Sequence, residues 1–400
     1  MSERSARVIG LLVGLSLGQW VGRRARDRVA TWEPPGLIDW GRARELAVRF
    51  AGEVRLSTKE REEATATYRR LIEELAPAIA SFVGAPVPPG IHRVYAFDRI
   101  DWIDANLEGF AEILRPLETL VSLPQHPLAR VGALAWAYAG RSAATVEIGM
   151  ALGFLSRRVL GQYDITVLGR EPVTTGKLYF VEPNVRWLIR TWRLPEADFR
   201  RWLVLHEVTH AFEFETYPWL REHVNGLLRE WVEALRLDGN LGRRFIEAVR
   251  SATRGEVGHE VTWIELLMSP EQRRLFRALQ AVMAVIEGYS NFVMRQVGRH
   301  LVSEYEVIER KFEERERMRT PAEQLVLRLT GLDIKLEQYR RGEMFCRTIA
   351  ERYGRDALKL LWRGPDCLPS YTELSDPDAW FQRVRRSSDQ HDAGPNENRQ

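Results

Sequence analysis

Cysteine is scarce in this 400-residue chain: it holds two, Cys346 and Cys367, twenty-one positions apart, with no Cys-x-x-Cys pair. Two thiols cannot build a multi-bridge scaffold; they fit reduced side chains in a cytoplasmic protein, with a single disulfide between them as the alternative. Charge of one sign is also lacking. Lys and Arg number 58 against 55 Asp and Glu, a net charge of +3, and the two signs are interspersed, which argues against an electrostatic nucleic-acid binder. A membrane-length apolar run is missing as well. Behind Arg4 and Arg7, the stretch Val8–Val21 imitates a secretory signal, but its fourteen residues fall short of the roughly 20 needed to span a bilayer. Where a cleavage site should follow, Gly22-Arg23-Arg24-Ala25-Arg26 stands instead, so the stretch reads as part of the fold.

What is present is enough apolar material, 45% of residues, to bury a sizeable core. Gly10, Gly14, Gly18 and Gly22 recur every fourth residue and form one stripe on a helix. Gly149 and Gly153 repeat that spacing within the apolar helical region Val131 to Leu160, which suggests that the two glycine faces pack together. The N-terminal stripe also keeps open a membrane-peripheral state, which is not the favoured one. Residues 57–83 read as one or two helices, with Ser57 and Glu60 at capping-box spacing, and Gly84 to Gly90 as a turn or seam. One region reads as sheet: Ile165–Leu168 and Lys177–Val181, short and rich in β-branched or aromatic residues, predict a small antiparallel pair. Helical periodicity dominates elsewhere, including the mixed-charge stretch 304–318, and the tail from Ser387 to Gln400 lacks apolar residues and reads as disordered. The fold class expected is α+β, predominantly helical, with the small sheet just ahead of the helix that carries the chemistry.

That helix is bounded by Pro195 and Pro218 and contains His206-Glu207-Val208-Thr209-His210. Residues four apart lie one above the other on a helix, so both imidazoles can converge on one ion. Zinc takes neutral imidazole nitrogens at about 2.0 Å, and Glu207 is placed to act as general base on a water. Pro195, Glu196 and Asp198 suit a helix start, and Phe199, Trp202, Leu203, Leu205, Phe212 and Phe214 supply the apolar surface of a buried helix. The bland reading is two stacked core histidines.

A catalytic zinc needs a third protein ligand. Glu213 lies seven residues beyond His206, about 10.5 Å along the helix axis, which is too far for ligands with bonds near 2 Å. Glu213 and Thr216 also stand where an extended histidine motif would need Gly and His. Of the downstream donors His223, His259, Glu260, Glu265 and Glu287, the last is preferred, because a carboxylate inside Val285-Ile286-Glu287-Gly288-Tyr289 is costly to bury without a metal or an arginine. Asn291, four residues on, shares its face and is expected to accept the ring N–H of a ligating histidine. A second oxyanion donor is expected from His223, His259 or Tyr289, although Tyr289 should point away from Glu287 on a regular helix.

The pattern His206-Glu207-x-x-His210 with a distant Glu287-x-x-x-Asn291 resembles the gluzincin branch of zinc metallopeptidases. More closely, Val159-Leu160-Gly161-Gln162-Tyr163-Asp164, Leu205 to His210, Glu287-Gly288 and Lys335-Leu336-Glu337-Gln338-Tyr339 resemble a bacterial family of zincin-like metalloproteases, some of whose members are labelled as associated with biosynthesis of a deazaflavin coenzyme. The likeness runs from about Asp98 to Val384. It implies a zincin-like core and zinc held by His206, His210 and Glu287; Asn291 stands where gluzincins usually carry a carboxylate. The organisation expected is an N-terminal helical region 1–90 packing on the core, a catalytic core 91–320, a C-terminal helical region 321–386 and a tail 387–400. The function expected is metal-assisted hydrolysis of an amide bond in a peptide, with Glu207 moving the proton. The alternatives are a non-catalytic binding or assembly module and a hydrolase of a non-peptide amide or ester.

Overall fold

The computed structural model describes residues 36–52, 54–118, 127–164, 176–236, 268–317 and 332–392. Helix α1 (Trp40–Ala51) starts where the Asp39 carboxylate accepts the N–H of Arg42 and ends at Gly52, whose φ of 77° is open to glycine at little cost. Ser57 and Glu60 then close the capping box that their spacing predicts, each side chain bonding the other's backbone N–H, and open a single helix α2 (Thr58–Val83) that stops at left-handed Gly84. Strand β1 (Val94–Phe97) leads into α3 (Arg99–Glu118) and α4 (Pro127–Ser156), followed by β2 (Gly161–Asp164), β3 (Lys177–Val181) and α5 (Glu182–Trp192). The central helix is α6 (Glu196–Thr216); α7 (Pro218–Arg236), α8 (Pro270–Leu301), α9 (Tyr305–Arg317), α10 (Leu332–Tyr353) and α11 (Pro377–Asp392) complete the described elements.

The sheet is three-stranded, in the order β1-β3-β2, and mixed: β1 runs parallel to β3, with Val94 opposite Leu178, and β2 antiparallel, with Tyr163 opposite Leu178. An antiparallel pair is present, but β3's partner in it is Gly161–Asp164; the expected partner, Ile165–Leu168, lies outside the described residues. The parallel strand β1 was not expected at all. Its four residues carry no long alternation, and its partner lies far along the chain, beyond α3 and α4.

One continuous core joins α2, the sheet, α6, α8, α10 and α11, with Tyr68, Phe180, Phe199, Phe212, Phe345 and Trp380 fully buried in it. A smaller cluster, including Ala47, Ala51, Trp102, Ile103 and Leu152, lies between α1, α3 and α4. There the glycine spacing finds a different partner from the one expected. Gly149 and Gly153 face Ala43 and Ala47 of α1, and a Cβ at either glycine would fall 2.8 Å from the Ala43 or Ala47 carbonyl oxygen. The N-terminal glycine stripe lies outside the described residues, but the glycine face of α4 is taken by the alanines of α1. Helix α11 runs through Ser387 to Asp392, so the polar C-terminal segment continues a helix anchored by buried Trp380 and Val384 rather than ending it at Ser387. Among the described residues no helix is long and apolar enough to cross a membrane.

Candidate metal centre

Helix α6 buries residues on all its faces, as expected of a helix inside a core rather than on its surface. Five of those buried residues, Arg200, Glu207, Thr209, His210 and Glu213, are polar. Each therefore requires a partner. Thr209 bonds back to the Leu205 carbonyl at 2.7 Å, a local solution. Arg200 meets Glu182 at the start of α5 through two bonds of 2.8 and 2.7 Å, and Glu182 also accepts from Tyr68 and Arg186, so one saturated ionic cluster ties α2, α5 and α6 together.

The remaining polar residues gather at one place. Nε2 of His206 and Nε2 of His210 are 3.2 Å apart, with their rings edge to face. Helix α8 brings Glu287 Oε2 to 3.6 Å from the first and 3.7 Å from the second. Among the described residues the group has these three members, their donor atoms all within 4.8 Å of one another. Bonds of about 2.0–2.1 Å in a tetrahedron set donors about 3.3–3.4 Å apart, so the triangle fits zinc in both size and donor type. The residue after Glu287 is a glycine that packs α8 against α10. A Cβ at Gly288 would lie 2.1 Å from the Gly342 carbonyl carbon, and one at Gly342 would lie 1.8 Å from the Ala284 carbonyl oxygen, so α8 and α10 cross with main chains in contact.

The far side of the His210 ring is also occupied. Glu213 Oε2 is 2.8 Å from Nδ1, and Ser290 Oγ is 3.1 Å from the same nitrogen. Sequence reasoning excluded Glu213 as a ligand but did not foresee that three residues along the helix it would face the other ring nitrogen. Asn291, expected in that orienting role, is not among the groups that meet His210 Nδ1. Burial pushes the Glu213 carboxyl up to about 7, with His210 opposing. Burial alone would lower His210, but Glu213 and Glu287 outweigh it and raise its pKa. With Nδ1 turned to Glu213, Nε2 is the nitrogen that faces His206 and Glu287.

Glu207 is 6% exposed and leans on β2, which is an edge strand among the described residues. The N–H of Tyr163 donates to its Oε2 at 3.1 Å, and Gly161 leaves room for the carboxylate, since a Cβ there would lie 2.7 Å from Oε1. This gives the Gly161-Gln162-Tyr163 motif its physical content. The side chain of Gln162 accepts from Trp102 and donates to Asn106, while the Tyr163 hydroxyl donates to Glu215 and receives the Gly176 N–H. Of the other candidates, His223 sits half-buried beside Trp219 and outside the cluster, and His259, Glu260 and Glu265 lie outside the described residues. Tyr289 packs edge-on against Trp362 with ring centroids 5.0 Å apart.

The sequence profile of the zincin-like metallopeptidases matches residues 38–381. The chain belongs to the zincin-like metallopeptidase family. A crystal structure from Chloroflexus aurantiacus, provisionally described as a hydrolase with a novel fold, is similar: 35% identity, a TM-score of 0.64, and coverage of 88% of this chain and 99% of that one. No curated protein matches. Membership in the zincin-like family carries a hydrolase assignment and a metal, typically zinc, and it accounts for a mostly helical chain with one small mixed sheet.

Proposed function

We propose that this zincin-like protein is a zinc-dependent hydrolase that cleaves amide bonds, with peptides as its first substrate class. The observation that carries the reading is the triangle of His206, His210 and Glu287 donors beside a buried Glu207 that an edge strand holds in place. Bound by those three side chains, zinc supplies Lewis acidity that polarises a carbonyl and brings the pKa of water down to about 7. Glu207 takes the proton of the attacking water as the new C–O bond forms, and returns it to the leaving nitrogen as the C–N bond breaks. The Tyr163 N–H, 3.1 Å from Oε2, holds the carboxylate in place during both transfers. Half-exposed Trp202 stacks on Phe312 and lies parallel to the His206 ring, forming a flat apolar wall beside the site.

One observation favours a second substrate class. The outward N–H of Tyr163, which a peptide adding to the edge strand would use, is already taken by Glu207. A small non-peptide amide or ester needs no such strand.

Zinc content of the purified protein, followed by a mixed peptide library and a panel of small amides and esters, tests the reading. Glu207→Gln is expected to keep the metal and lower kcat at least 100-fold, within the range of about 10²–10⁴ that general acid–base groups contribute. Activity unchanged in that variant would remove Glu207 from the chemistry, and a zinc-loaded wild type silent on every substrate would favour a binding module.

A further inference from the structure

Glu213 presents a problem that the metal triangle alone does not solve. Its carboxylate is 1% exposed, its hydrogen-bond partners are His210 and Ser290, and among the described residues its buried Oε1 has no partner. Glu182, equally buried, is saturated by two arginines and a tyrosine. A carboxylate left this poorly paired in a core is costly.

We propose that Glu213, assisted by Ser290, is a positioning residue for the metal centre: it fixes the tautomer and ring orientation of His210. The inference rests on the zinc reading given above. A carboxylate only accepts, so the 2.8 Å contact places the ring proton on Nδ1 and leaves the Nε2 lone pair directed at the space shared with His206 and Glu287. Ser290 Oγ is 3.1 Å from Nδ1 and 3.5 Å from Glu213 Oε2, so it sits at the junction of the two groups and limits ring rotation. Two of the elements that build the triangle also supply this support. Glu213 is one turn beyond His210 on α6, and Ser290 is three residues beyond Glu287 on α8, so all three ligands and both supports come from a single helix contact.

The test measures zinc dissociation constants by competition with a chromophoric chelator on wild type, E213Q, S290A and N291A, with apo melting curves and ¹⁵N spectra of the zinc-loaded His210 ring. E213Q is expected to weaken zinc about 10- to 100-fold and to lose the single Nδ1-protonated signal, S290A to weaken it about threefold or more, and N291A to stay within about twofold of wild type. E213Q, folded and within twofold of wild type, overturns the inference, as does N291A weakening zinc more than E213Q. If E213Q does not fold, S290A decides, an unchanged constant counting against. A wild type that takes up no zinc overturns the zinc reading and this inference with it, whereas normal wild-type uptake with an unaffected E213Q overturns the inference alone.

Discussion

Gly161→Ala isolates the support of the general base from everything else in the site. The new Cβ would stand 2.7 Å from Glu207 Oε1, 2.8 Å from Cγ and 2.9 Å from Cδ. Ordinary contact begins near 3.4 Å, so the carboxylate must retreat by at least about 0.7 Å. It has little room to do so, being 6% exposed and tied to the Tyr163 N–H at 3.1 Å, a bond that the retreat would stretch or break. Gly161 is not at positive φ, so alanine carries no backbone strain and the whole effect passes through Glu207. A displacement near 1 Å of a reacting group lowers rates by about 10²-fold, so kcat is expected to fall about 10- to 100-fold, the equivalent of about 1.4–2.7 kcal/mol in the barrier. None of the three nearest contacts of that Cβ belongs to His206, His210 or Glu287, so zinc affinity and KM should stay within about twofold of wild type. The assay is steady-state kinetics on the best substrate of the library or panel, paired with zinc competition and thermal melting. A variant keeping more than half of kcat at full zinc content would refute the reasoning, and so would a parallel loss of zinc, which would mean that Gly161 supports the fold of the site rather than its base.

Two further perturbations test the frame around the site. Gly342→Ala puts a Cβ 1.8 Å from the Ala284 carbonyl oxygen and must force α8 and α10 apart; it is expected to lower unfolding stability by at least about 1–3 kcal/mol and to weaken zinc by displacing Glu287. Gly226→Ala is the control: nothing lies within 4 Å of its Cβ inside α7, so urea titration should show it unchanged or up to about 1 kcal/mol more stable. Equal losses in the two variants would contradict the crossing argument. Glu182 links stability to pH: burial works to raise its pKa, but Arg200, Tyr68 and Arg186 outweigh burial and hold the folded value low. A depressed folded pKa means that the unfolded chain binds the proton more readily, so this contribution is complete above the unfolded value of about 4.3 and is lost as pH falls through the folded one. Glu182→Gln leaves Arg200 buried without its counter-ion and should cost about 3–5 kcal/mol at pH 7, with the gap to wild type narrowing as the medium is acidified below about pH 4.3. A gap that stays constant or widens in acid would reverse the assigned sign.

Much of this architecture is legible in local sequence. The Ser57–Glu60 spacing specified a helix start because both partners of a capping box lie within four residues. The stacking of His206 on His210 follows from helical repeat alone. Glu287 stood out because an acid in an apolar helix demands a partner, although locally that partner could equally have been an arginine. What escaped depends on distant neighbours. Strand β1 is four residues long and gains its identity only from pairing with Leu178 to Val181. Strand β2 reads Gly-Gln-Tyr-Asp, with no β-branched residue to mark it, and exists because its backbone joins β3 and Glu207 and its side chains meet Trp102 and Glu215. Glycine spacing on α4 announced a close helix contact, but the contacting surface is Ala43 and Ala47, small residues inside a helix whose own pattern reads as ordinary amphipathicity.

The edge strand and the base bear on each other more than either does alone. A strand lying open beside a hydrolytic centre suggests that an extended peptide adds to it through main-chain bonds. Strand β2 occupies that edge, with β3 on its other side, yet its Tyr163 N–H is committed to Glu207. A peptide pairing at Tyr163 would therefore compete with the general base for one donor, and whatever it gained in binding it would lose in the positioning of Glu207. Gly161 does not relieve that competition, because the space its missing side chain leaves is filled by the Glu207 carboxylate. The strand edge is thus spent on seating the base, which weighs the choice between an extended peptide and a compact amide toward the latter.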